Sequence, residues 1–299
     1  MQFKTAIFNI FRQISKVTAV ELFLAQQIKN GNKFAEKFIA DIQLYPKNSI
    51  RTCTRNGINY RLDVSDYMEH GIYFNLINQP DFDRRFLYSL IKEDFVCLDI
   101  GANIGETTLN FAKLATKGKV YSFEPVPFLF ERLKTNISLN SFKNIQLHNI
   151  AISDKNEALF FDLPSNHNSA GISLSKQETS DNYKVKAITL DDFVEEQKLS
   201  KIDIIKIDVE GFENFVINGA YKTIQRLKPI IFIEIDNRYL QPKGTSEKKL
   251  LTQIRNDFAY SLYRINGTEK IRMEAIEDTG MHYDVLCVVD NAENKIPFR

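Results

Sequence analysis

Cysteine and histidine are scarce in this chain of 299 residues. The three cysteines, Cys53, Cys97 and Cys287, lie far apart and form no CxxC pair, which argues against a zinc site and against a disulfide framework. The four histidines are scattered and show no HExxH spacing, which argues against a zinc hydrolase. So few cysteines suit a reducing compartment, and we expect a cytoplasmic protein.

An excess of charge of either sign is also missing. The chain has 39 Lys and Arg against 38 Asp and Glu, a formal net charge of +1. This balance gives no electrostatic footprint for nucleic acid or for an anionic membrane, so we expect neither as a partner. The composition, with 43% hydrophobic and 26% charged residues, is that of an ordinary globular protein.

Long apolar runs are absent from the N-terminal segment, where Lys4, Arg12, Lys16 and Glu21 interrupt every such run. We therefore expect no signal peptide and no integral membrane segment. Apolar residues still recur there at helical spacing, namely Phe3, Ile7, Ile10, Phe11, Ile14 and Val17. This face is expected to pack on the protein body or on a second copy in a homodimer, in preference to a membrane surface.

The order of predicted elements divides the chain into two domains. Residues 1–92 read as an extension with a helix to about 45, a hairpin over 50–64 around Asn56-Gly57, and helices over 65–92. Residues 93–299 alternate strands with helices. The strands are predicted at 95–100, 119–123, 144–152, 202–208 and 229–235, with β-type segments within 157–190 and late strands at 259–265 and 284–289. The helices are predicted at 106–116, 127–139, 212–226 and 245–257.

This alternation is typical of an α/β fold with a Rossmann-like sheet that is mostly parallel and covered on both faces. The late strands lack a helical connection, so an antiparallel strand is expected at one edge. Sheets of this kind bind ligands at the carboxyl ends of their strands, where the strand order reverses. Functional residues are therefore expected just after the ends of the strands.

A glycine turn follows the first of these strands. Gly101 and Gly105 allow a tight turn and a close backbone approach, and Ala102 and Asn103 lie between them. A dinucleotide-binding turn would read GxGxxG, but Asn103 stands where the middle glycine would be. Asp99 would repel a pyrophosphate and suits a cationic group, such as the amino or sulfonium group of S-adenosyl-L-methionine. The alternative is a turn without a ligand.

The next strand ends at Glu124-Pro125, about 20 residues after the glycine turn. A carboxylate at this place is well positioned to accept hydrogen bonds from both ribose hydroxyls. The alternative is a charge that favours the start of the helix at Pro127. Together, the two motifs indicate a nucleoside with a cationic tail, and so favour S-adenosyl-L-methionine over NAD.

Acidic residues also end the last two parallel strands. Asp208 and Glu210 could serve as general base, acceptor-binding group or contact to the methionine end of the donor, or could cap the following helix. Glu234 lies in an apolar run, so it is either a site residue or the partner of a basic group. His282 is a further candidate for the base.

Two weaker candidates concern the donor base and the acceptor. Asn149 and Ala151 lie where an adenine edge would be met. The polar segment 165–171, SNHNSAG, could be a substrate loop.

The motifs VCLDIGANIGETT, VYSFEPVPFLFERL, HNIAISD, ITLDDF, IDIIKIDVEGFENFVINGA and PIIFIEI resemble, in this order over about 95–240, those of FkbM-type methyltransferases. The resemblance implies a class I methyltransferase fold, S-adenosyl-L-methionine as donor, and O-methylation of a hydroxyl, often on a sugar or polyketide. By position, it places Asp99, Gly101, Asn103 and Gly105 in the cofactor loop and Glu124 at the ribose. It also implies that Asp208, Glu210 and Gly211 form an acidic motif beside the methyl group.

The resulting hypothesis is in-line methyl transfer to a hydroxyl of a glycan or other small molecule, with Asp208 as first choice for the base and Glu210, Glu234 and His282 as alternatives. No metal is required, although a carboxylate cluster could also bind Mg²⁺. The rival hypotheses are a nicotinamide-dependent oxidoreductase on the same kind of sheet and a non-catalytic partner protein that retains the fold.

Overall fold

The computed structural model describes residues 12–76, 82–163, 171–266 and 269–289. These residues form two compact units that divide near residue 82. The domain boundary predicted after residue 92 stays a prediction. The apolar residues Phe3 to Phe11 of the N-terminal segment lie outside the described residues.

The smaller unit contains helix α1 (Thr18–Lys29), strands β1 (Ile50–Arg55) and β2 (Ile58–Asp63), and helix α2 (Tyr67–Phe74). The predicted hairpin is confirmed, because β1 and β2 pair antiparallel around Asn56 and Gly57, which both have positive φ angles. The helix predicted to reach residue 45 ends instead at Lys29, since Gly31 adopts a φ of 87° that a helix does not accept.

A buried acid holds this unit together. The Glu21 carboxylate, on α1, is fully buried and accepts hydrogen bonds from the Arg51 guanidinium at 2.7 Å and from the Tyr45 hydroxyl at 2.9 Å. Its negative charge is thus compensated by a cation from β1 and a hydroxyl from the connecting segment, so the acid has a structural explanation.

The larger unit alternates helices and strands. In chain order its elements are α3 (Phe82–Ser89), β3 (Val96–Ile100), α4 (Glu106–Leu114), β4 (Lys119–Phe123), α5 (Pro127–Ser138), β5 (Ile145–His148), β6 (Ala151–Ile152), β7 (Glu157–Phe161), β8 (Tyr183–Ile188), α6 (Leu190–Glu196), β9 (Ile204–Ile207), α7 (Glu213–Gly219), α8 (Tyr221–Leu227), β10 (Ile230–Asp236), α9 (Asn237–Leu240), α10 (Glu247–Phe258), β11 (Tyr260–Asn266), β12 (Glu269–Arg272) and β13 (His282–Val289).

The main sheet has the described order β12-β11-β13-β10-β9-β3-β4-β5. Strands β10, β9, β3, β4 and β5 run parallel, whereas β13 pairs antiparallel with both β10 and β11. The α/β class and the mostly parallel sheet with an antiparallel edge are thereby confirmed. From β3 the chain builds the sheet in one direction to β5 and later in the other through β9, so the order reverses between β3 and β9.

Apolar side chains cover both faces of this sheet. Leu98 and Ile205 belong to one buried cluster with Ile254, while their chain neighbours Cys97 and Ile204 belong to the other. Alternate residues of the same strand thus enter different cores, which explains why these strands read as continuous apolar runs. This packing fixes the positions of the side chains at the carboxyl ends of the parallel strands.

Two predicted elements of the larger unit need correction, and one strand was not predicted. The strand predicted at 144–152 is interrupted at Asn149, and its two parts lie in different sheets, with β5 beside β4 and β6 beside β8. The helix predicted at 212–226 is two helices, because the Asp191 carboxylate accepts the backbone N–H groups of Lys222 and Thr223 and caps α8 separately. Strand β12, which pairs with β11, was not predicted.

Candidate active site

The carboxyl ends of β3 and β9 touch at the point where the strand order reverses. The backbone N–H of Asp208 donates to the carbonyl of Ile100 at 3.2 Å. A Cβ atom on Gly101 would lie 1.8 Å from the carbonyl oxygen of Asp208, so no other residue fits there without backbone movement. The glycine turn and the acidic segment predicted from the sequence are therefore direct neighbours.

The turn between β3 and α4 depends on left-handed backbone at Gly101, Asn103 and Gly105, whose φ angles are 83°, 49° and 95°. Gly105 also abuts α5, since a Cβ atom there would meet the Leu133 side chain at 2.5 Å. The Asn103 side-chain oxygen is buried and has no hydrogen-bond partner among the described residues. An unused acceptor in this turn fits a ligand that donates hydrogen bonds.

Glu124 follows β4 and is buried. Its carboxylate accepts the backbone N–H of Asn103 at 2.8 Å and that of Val126 at 2.9 Å. Burial raises the pKa of Glu124 to about 7. The contact with Val126 agrees with the alternative that Glu124 favours the start of α5, and the contact with Asn103 ties Glu124 to the glycine turn. Each oxygen accepts one of these bonds and retains capacity for another.

Asp99 lies within β3, two positions before Gly101 and thus outside the turn that was expected to contain it, and it is fully buried. The Thr108 hydroxyl donates to one carboxylate oxygen at 2.6 Å, and the Lys206 ammonium lies 3.5 Å from the other. Asp99 and Lys206 are register partners on β3 and β9, so their side chains share one face of the sheet. A direct contact of Asp99 with the donor stays a prediction.

Asp208 lies between two cations. One of its carboxylate oxygens is 3.2 Å from the Lys206 ammonium and 3.7 Å from the Arg84 guanidinium, which also binds Glu106 at 2.9 Å. Burial acts to raise the pKa of Asp208, but Lys206 and Arg84 outweigh it and hold the pKa below its usual value. Asp208 is therefore ionised at neutral pH.

Glu210 and Glu234 converge on Asp208, with carboxylate oxygens of the three residues all within 4.8 Å of one another. Burial and the charge of Asp208 raise the pKa of Glu210 to about 9, and the same causes raise the pKa of Glu234. Glu210 also has a φ of 52°, an uncommon conformation for a glutamate, which places strain at this cluster.

His282 joins the cluster from β13. Its Nε2 lies 2.7 Å from a Glu234 carboxylate oxygen, and this hydrogen bond raises the pKa of His282 to about 9. Glu234 has the basic partner expected of a buried carboxyl group and faces Asp208 and Glu210, whereas its role as a site residue stays a prediction. The suggestion that Asp208 or Glu210 caps α7 is wrong: Phe212 is at the N-cap position, and no side-chain hydrogen bond caps this helix.

An apolar pocket adjoins the glycine turn and Pro125. It is lined by Ile100, Gly101, Phe123, Pro125, Ile150, Ala151, Ile152, Leu174, Val209 and Phe212. Ala151 is at the predicted adenine position, and Asn149 donates from its side-chain amide to the carbonyls of Glu124 and Pro125 at 2.8 and 3.0 Å. The structure thus brings these candidates near one another. Residues 165–170 of the proposed substrate loop lie outside the described residues.

Two cations of the site, Lys206 and Arg84, were missed in the sequence. Lys206 had a detectable signal, because a lysine within the apolar strand IIKI needs a partner as much as Glu234 does within its own strand. Arg84 had no such signal, since it lies in the basic sequence DRRF of α3 and reaches Asp208 only through the tertiary fold.

Residues 99–262 match the model of the methyltransferase FkbM domain. This match covers more than half of the chain. The chain belongs to the FkbM methyltransferase family. The matched segment includes the ends of β3, β4, β9 and β10, and the match identifies the protein as a methyltransferase, in agreement with the resemblance of its motifs. It argues against both the oxidoreductase and the non-catalytic partner protein.

Two relatives of this methyltransferase are named as methyltransferases themselves. The 2-O-methyltransferase NoeI of Sinorhizobium fredii is 29% identical over 209 residues, which cover 60% of this chain and 84% of the relative. The hexuronic acid methyltransferase AglP of Haloferax volcanii is 32% identical over 174 residues, which cover 57% of this chain and 69% of the relative. A crystal structure of methyltransferase FkbM from Methylobacillus flagellatus is 15% identical, with a TM-score of 0.44, and covers 74% of this chain and 55% of that chain.

Proposed function

We propose that this methyltransferase uses S-adenosyl-L-methionine to methylate a hydroxyl group of a sugar or a related small molecule. One observation carries the proposal: carboxyl groups at the ends of β4, β9 and β10 lie close together around the glycine turn. Carboxyl groups there outnumber their cationic partners. The carboxyl groups are Asp99, Glu106, Glu124, Asp208, Glu210 and Glu234, and the cations are Arg84, Lys206 and His282.

This distribution fits S-adenosyl-L-methionine better than NAD. Although Glu210 retains its proton at neutral pH, the other five carboxyl groups still outnumber the three cations. A donor with a sulfonium and an ammonium group would be attracted by this surplus of negative charge, whereas a pyrophosphate would be repelled by it. The unpartnered oxygen of Asn103 and the remaining acceptor capacity of Glu124 suit the hydroxyl groups of a ribose. The apolar pocket beside Ala151 holds little more than one water molecule, so an adenine ring would have to widen it in order to pack there. When bound, the donor supplies an activated methyl group.

Asp208 is the residue we propose to accept the proton of the acceptor hydroxyl. It is ionised at neutral pH, whereas Glu210 retains its proton and Glu234 is engaged by His282. A weak base suffices, because the hydroxyl proton becomes acidic only as the new C–O bond forms. Glu210 would then act as a hydrogen-bond donor toward the acceptor, and His282 would orient Glu234.

Replacement of the proposed base provides a direct test. We expect Asp208→Asn to lower kcat by about 10²–10⁴-fold, as is usual for a lost general base, and to leave donor affinity within a few fold. Glu210→Gln is the matched control, because an amide retains the ability to donate a hydrogen bond and should keep most of the turnover. Wild-type turnover in Asp208→Asn would remove Asp208 from this role.

The donor and the acceptor class are tested separately. Isothermal titration calorimetry should show binding of S-adenosyl-L-methionine and no binding of NAD, and the reverse result would refute the proposed donor. The names of NoeI and AglP support a sugar acceptor. Methyl transfer from radiolabelled donor should be measured on a panel of simple glycosides that includes a glucuronide. Incorporation into none of them would refute the sugar proposal.

The reaction is expected to need no metal. The cluster of Asp208, Glu210 and Glu234 already faces Lys206 and His282, which supply positive charge. We expect the same turnover in EDTA and in Mg²⁺, and loss of activity in EDTA that Mg²⁺ restores would contradict this expectation.

The homodimer expected from the apolar N-terminal face stays a prediction, which light scattering of the purified chain will test. Within the described residues, no helix is both long and apolar enough to cross a membrane.

A further inference from the structure

Lys206 is a buried lysine in a strand that otherwise consists of isoleucines. It is 6% exposed, and its neighbours Ile204, Ile205 and Ile207 are at most 1% exposed. An ion pair of this kind is often no more stabilising than apolar side chains of similar size. The fold alone therefore does not explain why a lysine stands at this position.

The three contacts of the Lys206 ammonium lie on both sides of the junction between β3 and β9. It donates to the carbonyl of Gly101 at 2.9 Å, and it lies 3.2 Å from the carboxylate of Asp208 and 3.5 Å from that of Asp99. The contact with the Gly101 carbonyl is a hydrogen bond, and the two carboxylates compensate the charge of the ammonium. One side chain thus contacts the turn predicted to hold the donor and the carboxylate proposed to accept the proton.

We propose that Lys206 is a positioning residue of the methyl transfer, which fixes the separation between the donor-binding turn at Gly101 and the carboxylate of Asp208. The inference rests on the proposed function, because it assumes that Asp208 receives the acceptor proton. Positioning matters here, because an error of about 1 Å in the placement of reacting groups can lower a rate by roughly 10²-fold.

The contacts of Arg84 show what is particular about Lys206. Arg84 also lies beside Asp208, but its closer partner is the Glu106 carboxylate of α4 at 2.9 Å. Lys206 instead contacts the backbone of the glycine turn itself. The bond from the Asp208 N–H to the Ile100 carbonyl already joins the two backbones, and Lys206 adds a side-chain link from the Asp208 carboxylate to the Gly101 carbonyl.

A double-mutant cycle in the full chain separates positioning from a structural role. We expect Lys206→Met to lower kcat by about 10–10²-fold. Because Lys206 acts through Asp208, Lys206→Met should have little further effect on kcat in an Asp208→Asn background. If the two losses multiply in the double variant, or if Lys206→Met retains wild-type turnover, the proposal is wrong. The assay uses the glycoside that the wild-type chain methylates best.

Donor affinity gives a second readout that needs no acceptor. Loss of the hydrogen bond to Gly101 should weaken binding of S-adenosyl-L-methionine by about tenfold, the effect of roughly one hydrogen bond to a charged group. Lys201→Met is the matched control, because Lys201 precedes the same strand and pairs with Asp94 and Asp203 away from the turn. Unchanged affinity in Lys206→Met, or an equal loss in Lys201→Met, would overturn the proposal.

Three further outcomes are distinguishable. If Lys206→Met does not fold, Lys206→Gln replaces it, since the amide can still donate one hydrogen bond; failure of both to fold would show a structural role and refute the proposal. If the wild-type chain does not bind S-adenosyl-L-methionine, the proposed function itself fails. If it binds the donor and Asp208→Asn is fully active, the assignment of the base fails.

Discussion

At the scale of single residues, Glu124 combines burial with a task that requires ionisation. Its carboxyl pKa of about 7 means that it gains a proton when the pH falls below neutrality. The protonated group loses part of its capacity to accept hydrogen bonds. The residue that we expect to contact the ribose is therefore sensitive to small changes of pH.

We predict that the affinity for S-adenosyl-L-methionine falls as the pH is lowered from about 8 to about 6, because Glu124 titrates within this range. Calorimetry over the range should show this decrease in the wild-type chain and a weaker but flatter affinity in Glu124→Gln. The comparison isolates Glu124 from other groups that titrate nearby. Equal slopes for the two proteins would contradict the prediction.

His282 makes a second residue-scale contribution, this time to stability. Its pKa rises from 6.5 to about 9 on folding through the hydrogen bond with Glu234. A raised pKa stabilises the folded chain below pH 6.5, and this contribution disappears as the pH rises to about 9. His282 is half-exposed, so solvent reduces the effect.

We therefore predict that His282→Gln lowers the melting temperature at pH 6 more than at pH 9. At pH 6 the substitution removes an imidazolium that stabilises the folded wild-type chain, whereas at pH 9 the wild-type chain has itself lost much of this contribution. Thermal unfolding of both proteins at about these two pH values checks the prediction. A decrease of the same size at both pH values would count against it.

Residue-level prediction from the sequence worked best for carboxylates. Asp208 and Glu210 follow an apolar strand and Glu234 lies within one, and the structure brings one oxygen of each to within 4.8 Å of the others. Arg84 could not be selected, because only the packing of α3 against α4 brings it to Asp208. Distances that depend on tertiary packing have no counterpart in local sequence.

At the scale of elements, the turn between β3 and α4 has the most restrictive geometry. Gly101 combines a positive φ with a neighbour, the Asp208 carbonyl, that a Cβ atom would meet at 1.8 Å. Gly244 has a similar φ of 78°, but nothing lies within 4 Å of its Cβ direction. An alanine at Gly244 would therefore introduce backbone strain alone, whereas an alanine at Gly101 would add a collision with the Asp208 carbonyl.

We predict that Gly244→Ala costs about 1–2 kcal/mol of unfolding free energy, the typical cost of left-handed backbone for a residue with a Cβ atom. Gly101→Ala should cost at least about 4 kcal/mol and abolish donor binding, because the ends of β3 and β9 must also separate. Denaturant unfolding and calorimetry measure both effects. Similar losses in the two variants would show that the contact with Asp208 is unimportant.

The element predictions succeeded where one core face or one turn determined the structure. Strand β4 was predicted at its observed bounds, since all but its first residue are buried. The division of β5 from β6 was missed, because the Asn149 amide leaves the strand to bind the carbonyls of Glu124 and Pro125. A side chain that binds backbone elsewhere in the fold gives no local signal.

At the scale of the whole molecule, the order of elements is enough to predict an α/β sheet that is mostly parallel and has an antiparallel edge. The edge hairpin of β11 and β12 was not foreseen, because β12 is mostly exposed and carries little apolar pattern. The alternation of strands and helices reflects a core that is buried on both faces of the sheet. An exposed edge strand such as β12 needs no apolar side chains on either face, so its sequence does not mark it as a strand.

A ligand that binds the folded larger unit must also stabilise it. We predict that S-adenosyl-L-methionine at about 100 times its Kd increases the unfolding free energy by about 2.7 kcal/mol, and that NAD at the same concentration does not. Differential scanning fluorimetry over a concentration series checks this. Protection from hydrogen exchange should increase at the turn that contains Gly101. Stabilisation by NAD alone would contradict the proposed donor.

The position of β13 has a consequence for biosynthesis. This strand inserts between β10 and β11, although the ribosome makes it after all the other described strands of that sheet. A nascent chain that lacks residues 282–289 exposes two unpaired strand edges, and Glu234 has yet to meet His282. The pairing of Glu234 with His282 is therefore coupled to the insertion of β13, and the growing chain would need protection from aggregation until translation passes this strand.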